Sequence, residues 1–244
     1  MIKEALKFIT DLKESSMDPK VVEIAGKTYC DKALTRYDKE PLADTLRTTT
    51  LTSLLDYIRK QSGDLRDSMI IHVVSPTEVN LFSGLLKERE REQLLAVRAV
   101  VPEFRFDTWY DQERFLIELQ ANFEMVQDLA TILKVVGNVE SNSTANYGDD
   151  GVSQKTTIKQ GIASKADVIV PNPVTLTPYR TFLEIAQPES QFVFRIRDDH
   201  GAPVFKLVEA EGGLWRNLAM QDIKAYLEDN LEEELESGKI TVIA

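Results

Sequence analysis

The spacing of hydrophobic residues predicts a helix at the start of the chain, followed by a short hairpin. Apolar side chains recur at helical spacing at Ile2, Ala5, Leu6, Ile9 and Leu12. Asp18 and Pro19 end this helix, because proline cannot continue it. Residues 21–24 and 27–29 are strand-like, and Ala25-Gly26 between them predicts a tight turn.

The next hundred residues alternate between helix and strand patterns. Residues 45–50 are β-branched and predict a strand that runs directly into a helix. Thr50 or Thr52 can cap that helix, whose apolar stripe is Leu51, Leu54, Leu55 and Ile58. The nearly continuous hydrophobic run 69–74 predicts a strand buried on both faces, the first of a three-stranded meander that ends near 101.

Two helices and a strand-rich region follow. Asp111 can cap the first helix, whose inward residues are predicted to be Phe115, Leu116 and Leu119. The second helix is marked by Met125, Leu129, Ile132 and Leu133. Further elements are predicted as strands at 167–170, 181–186, 191–197 and 203–209, a helix over about 220–236, and a terminal strand at 239–243.

The segment 137–163 differs from the rest because it is polar and carries a turn pattern at 148–151. Two interpretations compete, a disordered loop and a long polar hairpin, and the β-branched content favours the hairpin. A ribbon with few apolar residues is not stable alone, so it needs its own body or another subunit to lie on. The interaction residues predicted on this arm are Tyr147, Asp149, Asp150, Lys155 and Lys159.

These elements predict an α+β fold in which antiparallel sheets, built as a meander and hairpins, carry helices on their faces. An extended polar β-hairpin arm at 137–163 projects from it. The length of 244 residues suits one large domain, so we predict a single domain over 1–244.

Composition restricts the classes of function. The chain has 29 basic and 40 acidic residues, a net charge of −11, so strong nonspecific nucleic-acid binding is not expected. No apolar run approaches the roughly 18–20 residues that span a bilayer, so we expect no membrane association. A single cysteine, Cys30, excludes an intramolecular disulfide and suits a reducing compartment.

The acidic stretch near the C-terminus has three interpretations. It includes Glu232, Glu233 and Glu236, and it is most simply a solvated face. Acids near a helix C-terminus oppose the helix dipole, which hints at a basic partner surface or at a short, frayed last turn. That partner would be another protein with a basic surface, or the arm lysines Lys155, Lys159 and Lys165 of a neighbouring subunit.

Few side chains suggest chemistry. Asp198, Asp199 and His200 resemble a metal-binding set, but Asp-Asp-X-Gly between two strands is favoured as a hairpin turn. His72 lies in an apolar strand and is predicted to be a core residue, and Cys30 has no neighbouring base. The glycine-rich nucleotide motifs are absent. We therefore predict no catalytic residue, no metal site and no cofactor.

Several segments together form a pattern of elements that extends over most of the chain from about Leu42. They are Thr48-Thr49-Thr50-Leu51-Thr52-Ser53-Leu54-Leu55-Asp56-Tyr57, the meander opened by 69–74, Phe104-Arg105-Phe106 with Trp109, and the late block 168–173, 192–197 and 204–209 with the Tyr226-containing helix. This pattern resembles the YfdQ-like family of uncharacterised phage and prophage proteins; it leaves out the first forty residues and does not match 137–161. The resemblance implies a bacteriophage or prophage product in the bacterial cytoplasm, and it carries over no catalytic residues.

Three functional hypotheses follow. The first is a non-enzymatic protein that self-assembles into a homo-oligomer, such as a ring, shell or cage, through the polar arm and the terminal strand. The alternative is an accessory factor in phage DNA replication or recombination, or an inhibitor of a host defence protein. A third, less favoured hypothesis is a metal-dependent hydrolase that uses Asp149, Asp150, Asp198 and Asp199.

Overall fold

A computed structural model of the chain describes residues 2–33, 41–60, 65–66, 68–87, 89–139, 148–149, 153–160 and 164–244. Contacts within the chain define two compact units, Met1–Leu42 and Ala43–Ala244. The architecture is α+β with antiparallel and mixed sheets, which confirms the predicted fold class. The assignment of 1–244 to one domain stays a prediction.

The smaller unit consists of one helix and one hairpin at the predicted positions. Helix α1 spans Ile2–Met17, and strands β1 (Val21–Ile24) and β2 (Lys27–Cys30) pair antiparallel. The turn residues Ala25 and Gly26 have φ values of 52° and 73°, as a two-residue hairpin turn requires. Apart from the half-buried Lys32, every residue of this unit whose burial is described is exposed, so these residues form no buried core.

The larger unit contains most of the secondary structure. Its strands are β3 (Leu46–Thr48), β4 (Met69–Ser75), β5 (Glu78–Ser83), β6 (Gln93–Arg98), β7 (Gly148–Asp149), β8 (Ser153–Gln160), β9 (Ser164–Pro171), β10 (Val174–Leu176), β11 (Ser190–Asp199), β12 (Ala202–Glu209) and β13 (Ile240–Ile243). Its helices are α2 (Leu51–Lys60), α3 (Gln112–Asn122), α4 (Gln127–Asn138), α5 (Trp215–Asn230) and α6 (Glu232–Glu236). The strands form sheets with the orders β13-β4-β5-β6-β3, β10-β11-β12 and β7-β8-β9.

The five-stranded sheet is built around the predicted meander β4-β5-β6. Its two edge strands pair in parallel, β13 with β4 and β3 with β6. Helices α2 and α5 pack on one face and form the first hydrophobic core. The prediction that 69–74 is buried on both faces is wrong, because these helices cover one face only: Ile70 and His72 are half-buried and Val74 is exposed.

The two predicted N-caps are present. The Thr50 hydroxyl accepts a hydrogen bond from the Ser53 amide at 3.2 Å, and the predicted apolar stripe of α2 is buried. Asp111 Oδ1 accepts from the Arg114 amide at 2.9 Å at the start of α3. Both caps satisfy amide groups that the first helical turn leaves without partners.

The second hydrophobic core lies between helices α3 and α4 and the sheet β10-β11-β12. Phe192, Phe194 and Ile196 alternate along β11 and are buried, as predicted. The Phe115 ring of α3 stacks on Phe205 of β12, with ring centroids 5.5 Å apart. Aromatic stacking therefore determines how α3 sits on this sheet.

The predicted strand at 181–186 is wrong, because this segment is a loop. Gln187 Oε1 accepts hydrogen bonds from the amides of Arg180 (2.9 Å) and Thr181 (3.2 Å). The Gln187 side chain thus accepts the hydrogen bonds that these backbone amides would otherwise donate to a neighbouring strand. Phe182 is buried in the first core, and the Arg180 guanidinium contacts the Phe192 ring of the second. The loop therefore joins the two cores.

The C-terminal helix starts earlier than predicted and is interrupted. Helix α5 begins at Trp215 and ends at Asn230, and α6 follows as a separate short helix. Leu231 between them has φ −123° and ψ 30° and is buried in the first core. The prediction of a single helix over 220–236 is therefore wrong. The backbone at Leu231 leaves helical geometry where this side chain is buried in the core, and the segment forms two helices.

The polar segment forms a ribbon whose longest ladder lies further along the chain than predicted. Strands β8 and β9 pair from Ser153–Pro171 to Gln160–Ser164, and β7 adds two residues at the edge of β8. Of the predicted turn 148–151, residues 148–149 form β7, and 150–151 lie outside the described residues. Helix α4 contacts β8 and β9, and Val170 belongs to the second core, so the ribbon lies partly on its own body.

Candidate functional site

Helix α1 carries an exposed apolar face. At 100° per residue, its large apolar residues fall on one half of its circumference: Ile2, Leu6, Phe8, Ile9, Leu12 and Met17. Each of them is at least 59% exposed, and Ile2 reaches 81%. We call this half the α1 face.

The hairpin of the same unit is also exposed and apolar. Val21, Val22, Ile24 and Tyr29 are each at least 49% exposed. Each strand pairs only with the other within the described residues, so each offers a free edge. A single two-stranded hairpin is marginally stable in water and offers backbone groups to a further strand.

The second surface of interest is the side of the five-stranded sheet that α2 and α5 leave uncovered, here called the outer face. By strand register, Arg47 of β3, Ala96 of β6, Asn80 of β5 and His72 of β4 form one row across it. Residues paired in register point to the same side of a sheet. The methyl group of Ala96 is the smallest side chain in this row and lies between Arg47 and Asn80.

A cavity of about 380 Å³ opens on the outer face among β3, β5 and β6. Asn80 lines it and is only 6% exposed. Its Nδ2 donates to Glu78 Oε1 at 3.1 Å, and Arg98 pairs with Glu78 at 3.4 Å. Within the described part of the chain, the buried Asn80 Oδ1 atom has no hydrogen-bond partner, and neither has the buried hydroxyl of Thr48, which pairs in register with Val97 on the core side of the sheet. A buried polar group left unsatisfied costs about 1–3 kcal/mol.

A third polar cluster surrounds Arg180, which is 8% exposed. Its Nη1 donates to Glu209 Oε1 at 3.1 Å, its Nη2 bonds the Ser190 hydroxyl, and its guanidinium lies 4.0 Å from the Trp215 ring centroid. Burial lowers the pKa of Arg180 to about 10, although the carboxylates of Glu209 and Glu211 act in the opposite direction. The guanidinium is therefore charged at neutral pH and holds the loop to the second core.

The predicted arm residues are only partly placed. Tyr147 and Asp150 lie outside the described residues, whereas Asp149 lies on β7 and Lys155 and Lys159 lie on β8. Backbone pairing sets Gly148 opposite Lys155. Whether a second copy completes this ribbon stays a prediction.

The predicted acidic residues Glu232, Glu233 and Glu236 are exposed on α6. Beside them, Arg59 Nη2 donates to the Asn230 carbonyl at 2.6 Å, which brings one positive charge to this surface. Helix α6 is a separate helix of five residues. A basic host or phage partner for these residues stays a prediction.

The turn interpretation of 198–200 is confirmed, because Asp198 Oδ1 accepts from the Gly201 amide at 2.9 Å and His200 adopts φ 53°. In the described ranges, no three His, Cys, Asp or Glu side chains converge as a metal site would require. His72 is half-buried on the outer face and Cys30 is exposed. None of the helices in the described ranges is long and apolar enough to span a bilayer.

Comparison of the chain with protein-family models, with curated proteins and with solved structures found no match. The resemblance to the YfdQ-like family therefore stays a prediction.

The row of outer-face residues is an arrangement that the sequence patterns did not reveal. Arg47 and Asn80 are 33 positions apart and belong to strands that do not pair with each other. The polar alternation of Glu78 and Asn80 along β5 is the one local signal. This alternation alone does not place Asn80 near Arg47, because that proximity depends on β6 lying between β5 and β3 in the sheet.

Proposed function

We propose that this chain is a non-enzymatic, self-associating protein whose copies bind each other through the N-terminal unit. The observation that carries the proposal is the exposure of ten large apolar residues on α1 and the β1-β2 hairpin, in a unit of 42 residues in which no described residue is buried. The bacteriophage or prophage setting rests on the family resemblance alone.

Apolar surface of this extent favours a partner. Each of the ten residues leaves on the order of 100 Å² of apolar surface in water. Together they offer about 1,000 Å², which exceeds the roughly 800 Å² per partner of a standard protein interface. Isolated helices of about 15 residues are marginal in water, so α1 itself gains from being covered.

The charge on α1 favours a second copy of the chain, and not an anionic membrane surface, as the partner. The helix carries three lysines and three acidic residues, so it is neutral, whereas helices that lie on membranes are rich in lysine and arginine. Apart from Lys13, the charged residues of α1 lie outside its apolar half. Such a helix packs well against an identical helix, since a two-fold axis brings the same face together. The α1 face is then the centre of the interface.

Particle mass in solution tests the proposal. We expect the wild-type chain to elute as a multiple of 27.6 kDa in size-exclusion chromatography with light scattering. The variant Leu6→Glu/Ile9→Glu places two charges on the α1 face and should dissociate the assembly. Lys7→Glu changes the net charge by the same amount on the charged half of α1, and it should leave the mass unchanged.

Two results would contradict the proposal. A wild-type mass of 27.6 kDa at about 100 µM would exclude self-association with a dissociation constant well below about 100 µM. An unchanged multimeric mass for Leu6→Glu/Ile9→Glu would remove the α1 face from the interface. In that case charge reversal of Lys155, Lys159 and Lys165 tests the ribbon instead.

A further inference from the structure

We propose that two copies of the chain pair their α1 helices in parallel, so that both β1-β2 hairpins lie side by side at the same end of the pair. This geometry rests on the proposed self-association and specifies how its surfaces meet. The α1 face of one copy lies on the α1 face of the other, around a two-fold axis that runs along the helices.

The two edges of the α1 face carry charges of opposite sign. Counted at about 100° per residue, Lys3 lies about 40° beyond Met17 at one edge. By the same count, Glu4 lies about 40° beyond Phe8 at the other edge. We call these the lysine edge and the acidic edge.

The other charged residues of α1 strengthen this difference or lie away from both edges. Lys13 lies inside the α1 face on the side of the lysine edge, and Asp11 lies about 20° behind Glu4 on the acidic edge. Glu14 is the one acid on the lysine edge, and Lys7 lies nearly opposite the α1 face. The lysine edge thus has two lysines and one acid, a net charge of +1, and the acidic edge has two acids, a net charge of −2.

These charges select the orientation of the pair. A parallel pair brings the lysine edge of each copy to the acidic edge of the other, with Lys3 within about 2 Å along the axis of Glu4 in the second copy. An antiparallel pair brings like edges together along both seams. Exposed ion pairs add little affinity, but like charges placed side by side disfavour the wrong arrangement. Charge therefore favours the parallel pair.

The position of the hairpin favours the same orientation. Lys32 Nζ donates to the Asp18 carbonyl at 2.9 Å, and the Lys20 amide donates to Asp31 Oδ1 at 2.8 Å, which ties the hairpin to the C-terminal end of α1. A parallel pair brings the two hairpins together, whereas an antiparallel pair separates them by the length of α1, about 24 Å. The parallel pair thus lets one two-fold axis cover both the α1 face and the exposed apolar residues of the hairpins.

Single cysteines on the α1 face, in a Cys30→Ser background, report the orientation. Ala5 and Ile9 lie within about 30° of the centre of the face. Helices packed about 8–10 Å apart bring facing Cα atoms within the roughly 7 Å limit of a disulfide. In a parallel pair each residue faces its own copy. In an antiparallel pair that covers the whole face, the two Ile9 residues stay close, but the two Ala5 residues lie about 13 Å apart along the axis.

Oxidation followed by a non-reducing gel measures the cross-linked fraction, after light scattering has established the mass of each variant. We expect Ala5→Cys to cross-link within about twofold of Ile9→Cys. Lys7→Cys on the opposite side of the helix is the control, and its cross-linked fraction should be at least about fivefold lower.

A charge exchange tests the orientation without cysteines. The variant Lys3→Glu/Lys13→Glu/Glu4→Lys/Asp11→Lys keeps the net charge and reverses the sign of both edges. In a parallel pair the variant should assemble with itself but not with the wild type, because mixed pairs bring like edges together. In an antiparallel pair the mixed species is the favoured one. Copurification of untagged wild type with a tagged variant, after the two are unfolded and refolded together, separates these cases.

The outcomes separate this orientation from self-association itself. A multimer in which Ile9→Cys cross-links and Ala5→Cys does not, or in which the charge-exchange variant copurifies wild type, would overturn the parallel pair and leave the proposed function intact. A multimer in which neither cysteine cross-links would remove the α1 face from the interface. A wild-type mass of 27.6 kDa would overturn both proposals. If Ala5→Cys itself weakens assembly, the charge exchange still decides the orientation.

Discussion

Replacing Arg180 with methionine tests how the loop at 180–187 joins the two hydrophobic cores. The arginine donates to Glu209 Oε1 at 3.1 Å and to the Pro188 carbonyl at 3.2 Å, and it covers the Trp215 ring. Methionine has an unbranched apolar chain and keeps part of the packing on Trp215, but it donates no hydrogen bond. The change therefore removes the polar contacts selectively.

The expected loss follows from what the arginine leaves behind. Breaking a fully buried ion pair by removing one partner costs about 3–5 kcal/mol. The side chains of Glu209 and Glu211 keep 27% and 19% of their surface exposed, so water partly compensates them. We therefore expect Arg180→Met to lower the free energy of unfolding by about 3 kcal/mol, the lower end of that range. For a unit of this size, that loss lowers the melting temperature by about 6–12 °C.

Urea denaturation followed by circular dichroism measures this loss. Arg180→Lys is the matched control, because it keeps the charge and loses the planar fork, and it should fall between the wild type and Arg180→Met. Adding Glu209→Gln to Arg180→Met should recover stability, with a coupling free energy of at least about 1 kcal/mol between the two positions. An Arg180→Met variant within about 0.5 kcal/mol of wild type would refute the assigned role of this cluster.

Three further changes have defined outcomes in the same denaturation assay. Asp111→Ala removes the cap of α3 and should cost about 1 kcal/mol, whereas Glu113→Ala in the same helical turn should cost less than half of that. Gly137→Ala adds a methyl group with no atom within 4 Å in the last turn of α4, and it should stabilise by a few tenths of a kcal/mol, up to about 1 kcal/mol. Gly213→Ala should destabilise by about 1–2 kcal/mol, because its φ is +82° and the new Cβ would displace the Arg216 guanidinium. A stabilised Gly213→Ala, or a destabilised Gly137→Ala, would contradict the reasoning from backbone conformation.

Elements with a strong local pattern were predictable. Helix α1, the hairpin β1-β2 and the capped start of α2 match the sequence analysis because each depends on residues only a few positions apart. The alternation of Phe192 and Phe194 identified both the strand and its buried face. Helical and strand periods are local properties, and tertiary contacts did not change them here.

The two wrong predictions of secondary structure share one physical cause. In each, a contact with a side chain or with a distant part of the chain outweighs the local sequence pattern. Residues 181–186 have strand-like residues, but Gln187 binds the amides of Arg180 and Thr181, and the segment becomes a loop. The predicted helix over 220–236 is interrupted because Leu231 is buried in the first core. Neither competitor is visible in a short window of sequence.

The sequence by itself determined the fold class, the amphipathic character of α1 and the acidic balance of the chain, because composition and period are properties of neighbouring residues. Only the tertiary structure decided that the apolar half of α1 is exposed. It also decided that Arg47 and Asn80 lie on either side of Ala96. Both facts depend on which strands and helices pack together, and packing partners are selected by the free energy of the whole fold.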